Sequence, residues 1–285
     1  MLRVEALRRS LGDFRLLVDH WEVTAGTYLV LVGSFDSGFD GTGTYRLTMT
    51  KTPGPITVTP GDDGGPLTNG ATHTGEILQG DLDVWTFTAT AGDRIGLHIG
   101  EITDTDDFRP WIRLYAPNGA VLANTSGVDA TAIDGAVAPV TGTYLVLVSS
   151  FDSGFDGEGT YRLTMTKTPG PITVSPGDQG GALTNGAAHA GDIVQGDLDV
   201  WTINVTAGLR ISVQIDETAE TDDFRPWIRI WGPNGTTLGS TSGLTSAALG
   251  PVVAPVTGTY LVLVSSFDSG FDGIGSYSLR VTVAP

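Results

Sequence analysis

The chain has 285 residues, 40% of them hydrophobic, with 40 glycines, 15 prolines, no cysteine and a formal net charge of −17. That apolar content suffices for packed cores and argues against a disordered chain, while the glycine and proline load disfavours helices. Thirty-two acidic against 15 basic residues repel a polyanion, so no nucleic-acid partner is expected, and disulfide and thiol chemistry are excluded outright.

The first residues, MLRVEALRRSLGDF, lack the uninterrupted apolar core of a signal peptide, and no run in the chain approaches the roughly 20 apolar residues that span a bilayer. An exported module would therefore read as an internal fragment or a gene whose start is lost. Leu2, Val4, Leu7 and Leu11 fall on one side of a short helix. From Thr24, TAGTYLVLVGSFDSGFDG and then GTYRLTMT read as the last two strands of a unit whose earlier strands would precede the chain. Residues 1–50 are thus expected to be the incomplete C-terminal part of a β-sandwich repeat. Its apolar faces need cover, from an element within residues 2–21, from the next unit, or from a strand of another subunit, since an open sheet edge pairs readily. The last option leaves a homo-oligomer open.

Next come two Pro/Gly-dense segments, KTPGPITVTPGDDGG at 51–65 and KTPGPITVSPGDQGG at 167–181, of the kind that separate packed units. The division expected is 1–50, a linker at 51–65, a repeat at 66–168, a linker at 169–181 and a repeat at 182–285. The alternation Pro55-Ile56-Thr57-Val58, with its copy Pro171-Ile172-Thr173-Val174, suits either a short edge strand or a bare tether.

The two full repeats are related by a fixed offset of 116 residues: PVTGTYLVLVSSFDSGFDG from Pro139 to Gly157 recurs letter for letter from Pro255 to Gly273. Within them apolar residues alternate at period two. Trp85, Phe87 and Ala89 share one strand face, as do Ile95, Leu97 and Ile99, with Trp201, Ile203, Val205 and Ile211, Val213, Ile215 as their copies. Residues 144–148 are apolar on both faces, which marks a central strand, and Tyr161, Leu163 and Met165 line the final one. Many short strands punctuated by Asn-Gly and glycine turns predict an all-β fold of tandem antiparallel β-sandwich domains, with a barrel as the alternative.

TGEILQGDLDVWTFTATAGDRIGLHIG, then DDFRPWIRLYAPNGAVLA, VAPVTGTYLVLVSS and GTYRLTMT, together resemble the bacterial pre-peptidase C-terminal domain family. The resemblance covers Leu67 to Thr166 and Leu183 to Val283. Trp85 and Trp201 depart from it, standing where the family often has tyrosine or another aromatic. It implies a small jelly-roll-like sandwich appended to secreted proteins, usually non-catalytic, in some relatives calcium-binding.

Acidic residues cluster in the loops. Asp81 and Asp83, repeated as Asp197 and Asp199, flank a strand start; Asp106 and Asp107, with Asp222 and Asp223, precede a phenylalanine; Asp152 and Asp156, with Asp268 and Asp272, sit in FDSGFDG. Clustered carboxylates among glycines suit calcium, a hard cation wanting six to eight oxygens, although aspartates also cap turns. In FRPWIRLY, Trp111, Arg113 and Tyr115 alternate onto one face, as do Trp227, Arg229 and Trp231. If Ile112 and Leu114 face the core, this strip lies outward and suits stacking on a polysaccharide or a protein ligand; otherwise the linker or the adjacent unit covers it. Phe151, Phe155, Phe267 and Phe271 are expected at the junction between units. The four histidines show no zinc-ligand spacing and no serine sits in a nucleophile elbow, so no enzyme is expected. The whole reads as a non-catalytic extracellular or cell-surface accessory module beside other domains of a larger secreted protein, with carbohydrate binding as the alternative and a strand-complemented assembly as a third.

Overall fold

The structure is a computed structural model that describes residues 26–34, 38, 40–103, 105–152, 154, 156–219 and 223–285. No helix forms among these residues, so none is long and apolar enough to cross a membrane. The first full unit contains β1 (Gly64–Pro66), β2 (Thr72–Ile77), β3 (Asp83–Ala89), β4 (Arg94–Glu101), β5 (Pro110–Tyr115), β6 (Val121–Ser126), β7 (Ala130–Val137), β8 (Gly142–Ser150) and β9 (Gly159–Thr168). Its copy contains β10 (Gly180–Ala182), β11 (Ala188–Ile193), β12 (Asp199–Val205), β13 (Arg210–Glu217), β14 (Pro226–Trp231), β15 (Thr237–Ser242), β16 (Ser246–Val253), β17 (Gly258–Ser266) and β18 (Gly275–Ala284).

Each unit is a sandwich of a five-stranded and a four-stranded sheet, ordered β1-β3-β8-β5-β6 over β2-β9-β4-β7 and, in the copy, β10-β12-β17-β14-β15 over β11-β18-β13-β16. Pairing is antiparallel except where β1 runs parallel to β3 and β10 to β12. Period-two alternation is what selects this arrangement. Trp85, Phe87 and Ala89 of β3 meet Ile95, Leu97 and Ile99 of β4, Ile112 and Leu114 of β5, and Leu163 and Met165 of β9 in one buried cluster; the copy has its own. Tight turns carry the chain from one sheet to the other. Between β3 and β4, Gly92 adopts φ 94°, a left-handed conformation that costs glycine nothing, and the Asp93 carboxylate accepts the Thr90 N–H at 2.9 Å.

The central strand β8 is apolar on both faces for a visible reason. Tyr144, Val146 and Val148 enter the core, while Leu145 and Leu147 join Val84 and Tyr115 on the outer face, where Ile56 and Leu82 pack over them. In the copy, Ile172 covers Leu198, Val200, Trp231, Leu261 and Leu263. The Pro/Gly segments are therefore neither bare tethers nor strands at Pro55–Val58: each lays an isoleucine on the unit it leads into, and strand pairing starts later, at Gly64 and Gly180.

Residues 26–50 depart from expectation. No strand forms among those described there, and Leu29, Leu31 and Met49 are 81%, 78% and 75% exposed. In the full units the same motifs are held by strands on either side of them, as β8 is held by β3 and β5; among the described residues no strand pairs with residues 26–50. Residues 2–21 lie outside the described residues.

Candidate metal centre

The parallel pairing of β1 with β3, Gly64 opposite Val84, lays the end of the Pro/Gly segment along the start of β3. That brings Asp62 to Asp81 and Asp83, with one carboxylate oxygen of each lying within 4.8 Å of the others. β10 and β12 do the same for Asp178, Asp197 and Asp199. Four of these six were expected; Asp62 and Asp178 were missed. Their signal was present, because Asp62 recurs at the 116-residue offset within PGDDGG and PGDQGG whereas Asp63 becomes Gln179.

The site is charged and largely out of water. Asp83 and Asp199 are fully buried, and Asp81 and Asp197 nearly so. Burial, reinforced by the neighbouring carboxylates, pushes Asp83 up to about 8 and Asp199 up to about 9, and Asp197 rises to about 6 from the same two causes. Asp62 is also raised, by burial and by Asp81. Such repulsion is what a bound cation would remove.

The arrangement of donors fits one. Trp85 Nε1 donates to the Tyr161 hydroxyl at 2.8 Å, which donates to Asp83 Oδ2 at 2.5 Å and fixes that carboxylate. The copy repeats the relay through Trp201, Tyr277 and Asp199. In each case the other oxygen, Asp83 Oδ1 or Asp199 Oδ1, is buried without a hydrogen-bond partner among the described residues. Such an atom costs about 1–3 kcal/mol or more if left unsatisfied. Donors that are all oxygen, carried partly on a segment rich in glycine, suit a hard cation such as calcium better than zinc or copper. Arg46 pairs with Asp81 at 2.5 Å, and the Thr72 hydroxyl donates to Asp178 at 2.7 Å, so residues of the preceding repeat reach both sites.

The other acidic candidates are placed elsewhere. Burial tends to raise Asp152, but N–H groups of Gly157, Asp156 and Gly154 and the Ser150 hydroxyl outweigh it and hold the carboxyl down at about 2, so Asp152 caps its own loop. Asp268 does the same in the copy, and Asp272, hydrogen-bonded to it, rises to about 6. Asp106, Asp107 and Asp223 are exposed, and neither they nor Asp156 join the three-carboxylate groups. Asp222 and Phe155 lie outside the described residues.

The aromatic strip does lie on the outer sheet face, opposite Ile112 and Leu114, but it is not open. Trp111, Arg113 and Tyr115 are 6%, 1% and 4% exposed, and Trp227, Arg229 and Trp231 are 9%, 1% and 1%. Each arginine stacks on its own tryptophan, 4.0 Å for Arg113 over Trp111 and 3.7 Å for Arg229 over Trp227. Ile56 and Ile172 cover part of this surface, and Arg229 pairs with Asp134 of the other unit at 3.1 Å. A sugar ring cannot stack on faces already packed. Phe151 and Phe267 are half-exposed edges against their own Trp111 and Trp227, not junction residues, whereas Phe271 lies across the junction, 6.2 Å from His98. His73 and His189 accept N–H groups of Thr68 and Thr184 and pack on Trp85 and Trp201.

Residues 81–150, from the first buried carboxylate to the end of β8, match the model of the bacterial pre-peptidase C-terminal domain. The matched segment lies within the first full unit. The second unit repeats the strand order of the first at the same offset. Among solved structures, the chain is similar to the pre-peptidase C-terminal domain of a collagenase from Bacillus anthracis, at 18% identity and TM-score 0.28, over 37% of this chain and 96% of that one. It is also similar to PliG of Aeromonas hydrophila, a periplasmic inhibitor of g-type lysozyme, at 16% identity and TM-score 0.30 with the same coverage, and to the CUB1-EGF-CUB2 domains of human MASP-1/3, at 13% and 0.22 over 74% and 99%. No curated protein sequence matches the chain.

Proposed function

We propose that the chain is a non-catalytic accessory module of a secreted or surface protein, in which each Pro/Gly segment is fastened to the unit it precedes by a bound calcium ion. The observation that carries this reading is the recurrence of Asp62-Asp81-Asp83 as Asp178-Asp197-Asp199, each with one buried, unpartnered carboxylate oxygen. The pre-peptidase C-terminal match over residues 81–150 supports the accessory role and the placement outside the cell. Two ligands come from the start of a sandwich strand and one from the linker, so cation binding adds to the hold of Ile56 or Ile172, a three-residue strand and, for the second linker, hydrogen bonds with Asn69 and Thr72.

Isothermal titration of the full chain with calcium chloride tests this directly. Two equivalents are expected for the parent and one after Asp83→Asn. No binding heat, with melting unchanged between calcium and chelator, would refute the cation-tied module.

A further inference from the structure

The outer face of the first unit's four-stranded sheet packs on the outer face of the second unit's five-stranded sheet. Thr168 donates to the Gly232 carbonyl at 3.1 Å and Arg94 Nε to the Gly235 carbonyl at 2.5 Å, while Arg94 also stacks on Trp231. Arg229 bonds Asp134 at 3.1 Å and approaches His98 Nε2 at 3.4 Å; the Gln195 amide donates to the Asp129 carbonyl at 3.3 Å. His98, Thr164, Thr166 and Thr168 are buried as a result.

Two glycines set the closeness of this contact. A Cβ on Gly96 would sit 3.0 Å from the Trp231 ring, and one on Gly100 would run into the Gln195 carbonyl and lie 2.6 Å from the Gly196 Cα. Both conflicts involve atoms with little room to move, so side chains at these positions force the units apart.

The same face of the last unit is built differently at the 116-residue offset. Gly96, His98 and Gly100 are replaced by Ser212, Gln214 and Asp216, and Arg162, Thr164 and Thr168 by Ser278, Arg280 and Ala284. Gln214, Asp216, Arg280 and Ala284 are exposed. Residues 46–52 keep the docking pattern of β9, with Arg46, Thr48, Thr50 and Thr52 where β9 has Arg162, Thr164, Thr166 and Thr168. Arg46 pairs with Asp81 of the unit that follows it, and Arg162 acts on Asp197 in the same relation.

We propose that Gly96, His98, Gly100, Arg162 and Thr164 are the specificity determinants of head-to-tail docking between repeats, and that the last unit, lacking all five, presents a capping face that accepts no further repeat in this manner. In stacked arrays, a repeat with a polar outer face caps the stack on that side. The partner that fits the docking face is a following unit of the same fold with a large aromatic at the position of Trp231.

Two exchanges test this on the full chain. In the first, the cap residues are moved inward as Gly96→Ser, His98→Gln, Gly100→Asp, Arg162→Ser and Thr164→Arg. All five lie on the outer face, so the far-UV circular dichroism of the sandwiches should persist, while proteolysis within residues 167–181 speeds up by about tenfold or more as the docked segment is released. In the second, residues 167–285 are appended after Thr282, to the parent and to a chain carrying Ser212→Gly, Gln214→His, Asp216→Gly, Ser278→Arg and Arg280→Thr. The appended linker should be cut readily in the parent extension and protected in the grafted one. Equal cleavage of the two extensions, or a linker in the first variant as resistant as the parent's, would overturn the proposal.

Discussion

Asp83 concentrates the chemistry of the first unit. Its folded-state value of about 8 lies far above that of an unfolded aspartate, so the native protein holds a proton that the unfolded chain has released. Stability without metal therefore falls as pH rises from about 4 to 8, by up to about 1.4 kcal/mol per pH unit for each such proton, and the Asp199 site extends the window to about 9. Urea denaturation in chelator at pH 5 and pH 8 should show the higher midpoint at pH 5. Asp83→Asn removes the buried charge and keeps the shape, so in chelator at pH 8 it should stabilise the chain by about 1 kcal/mol or more while abolishing one calcium equivalent. Half of this was legible in the sequence. The spacing of Asp81 and Asp83 announced a pair of carboxylates, but nothing in it reported that Asp83 is buried beneath Tyr161, or that Asp152 spends its lone pairs on its own loop.

At the scale of elements, alternation foretold β3, β4 and β9 because each has one face committed to the core, and a residue slipped by one would turn the whole face outward, while β8 was legible from its being apolar on both faces. β1 and β10 were not foreseen: three residues such as Gly64–Pro66 carry no period, and their pairing is decided by where the preceding segment docks. Residues 26–50 carry the same strand-like pattern yet form no strand among those described, since β structure needs partners that a sequence motif does not bring with it. The outer strip was assigned to the right face, but its burial depends on a segment more than 50 residues away in sequence and, for Arg229, on the other unit. Trp231→Ala should therefore act as a core substitution despite its place on an outer face, costing about 3–5 kcal/mol in chemical denaturation. A loss under about 1 kcal/mol would mean that the docking surface is not packed in solution.

Over the whole molecule, two sandwiches, their leading segments and the contact between them form one connected set of interactions. The linker following the first unit is bound at both ends: Asn69 and Thr72 of that unit hold Thr173 and Ser175 by hydrogen bonds of 2.8 to 3.1 Å, while Ile172 lies on the second unit. Asp178 completes the second acidic group a few residues later. A cation there acts on linker and sandwich together, so its effect should be felt in the stability of the folded chain and not only in local affinity. Differential scanning calorimetry of the full chain at pH 8, in millimolar calcium and in chelator, measures this most directly. Calcium is expected to raise the melting temperature by several degrees, and Asp83→Asn with Asp199→Asn to remove the difference. Superimposable melting curves for the parent in calcium and in chelator would contradict it.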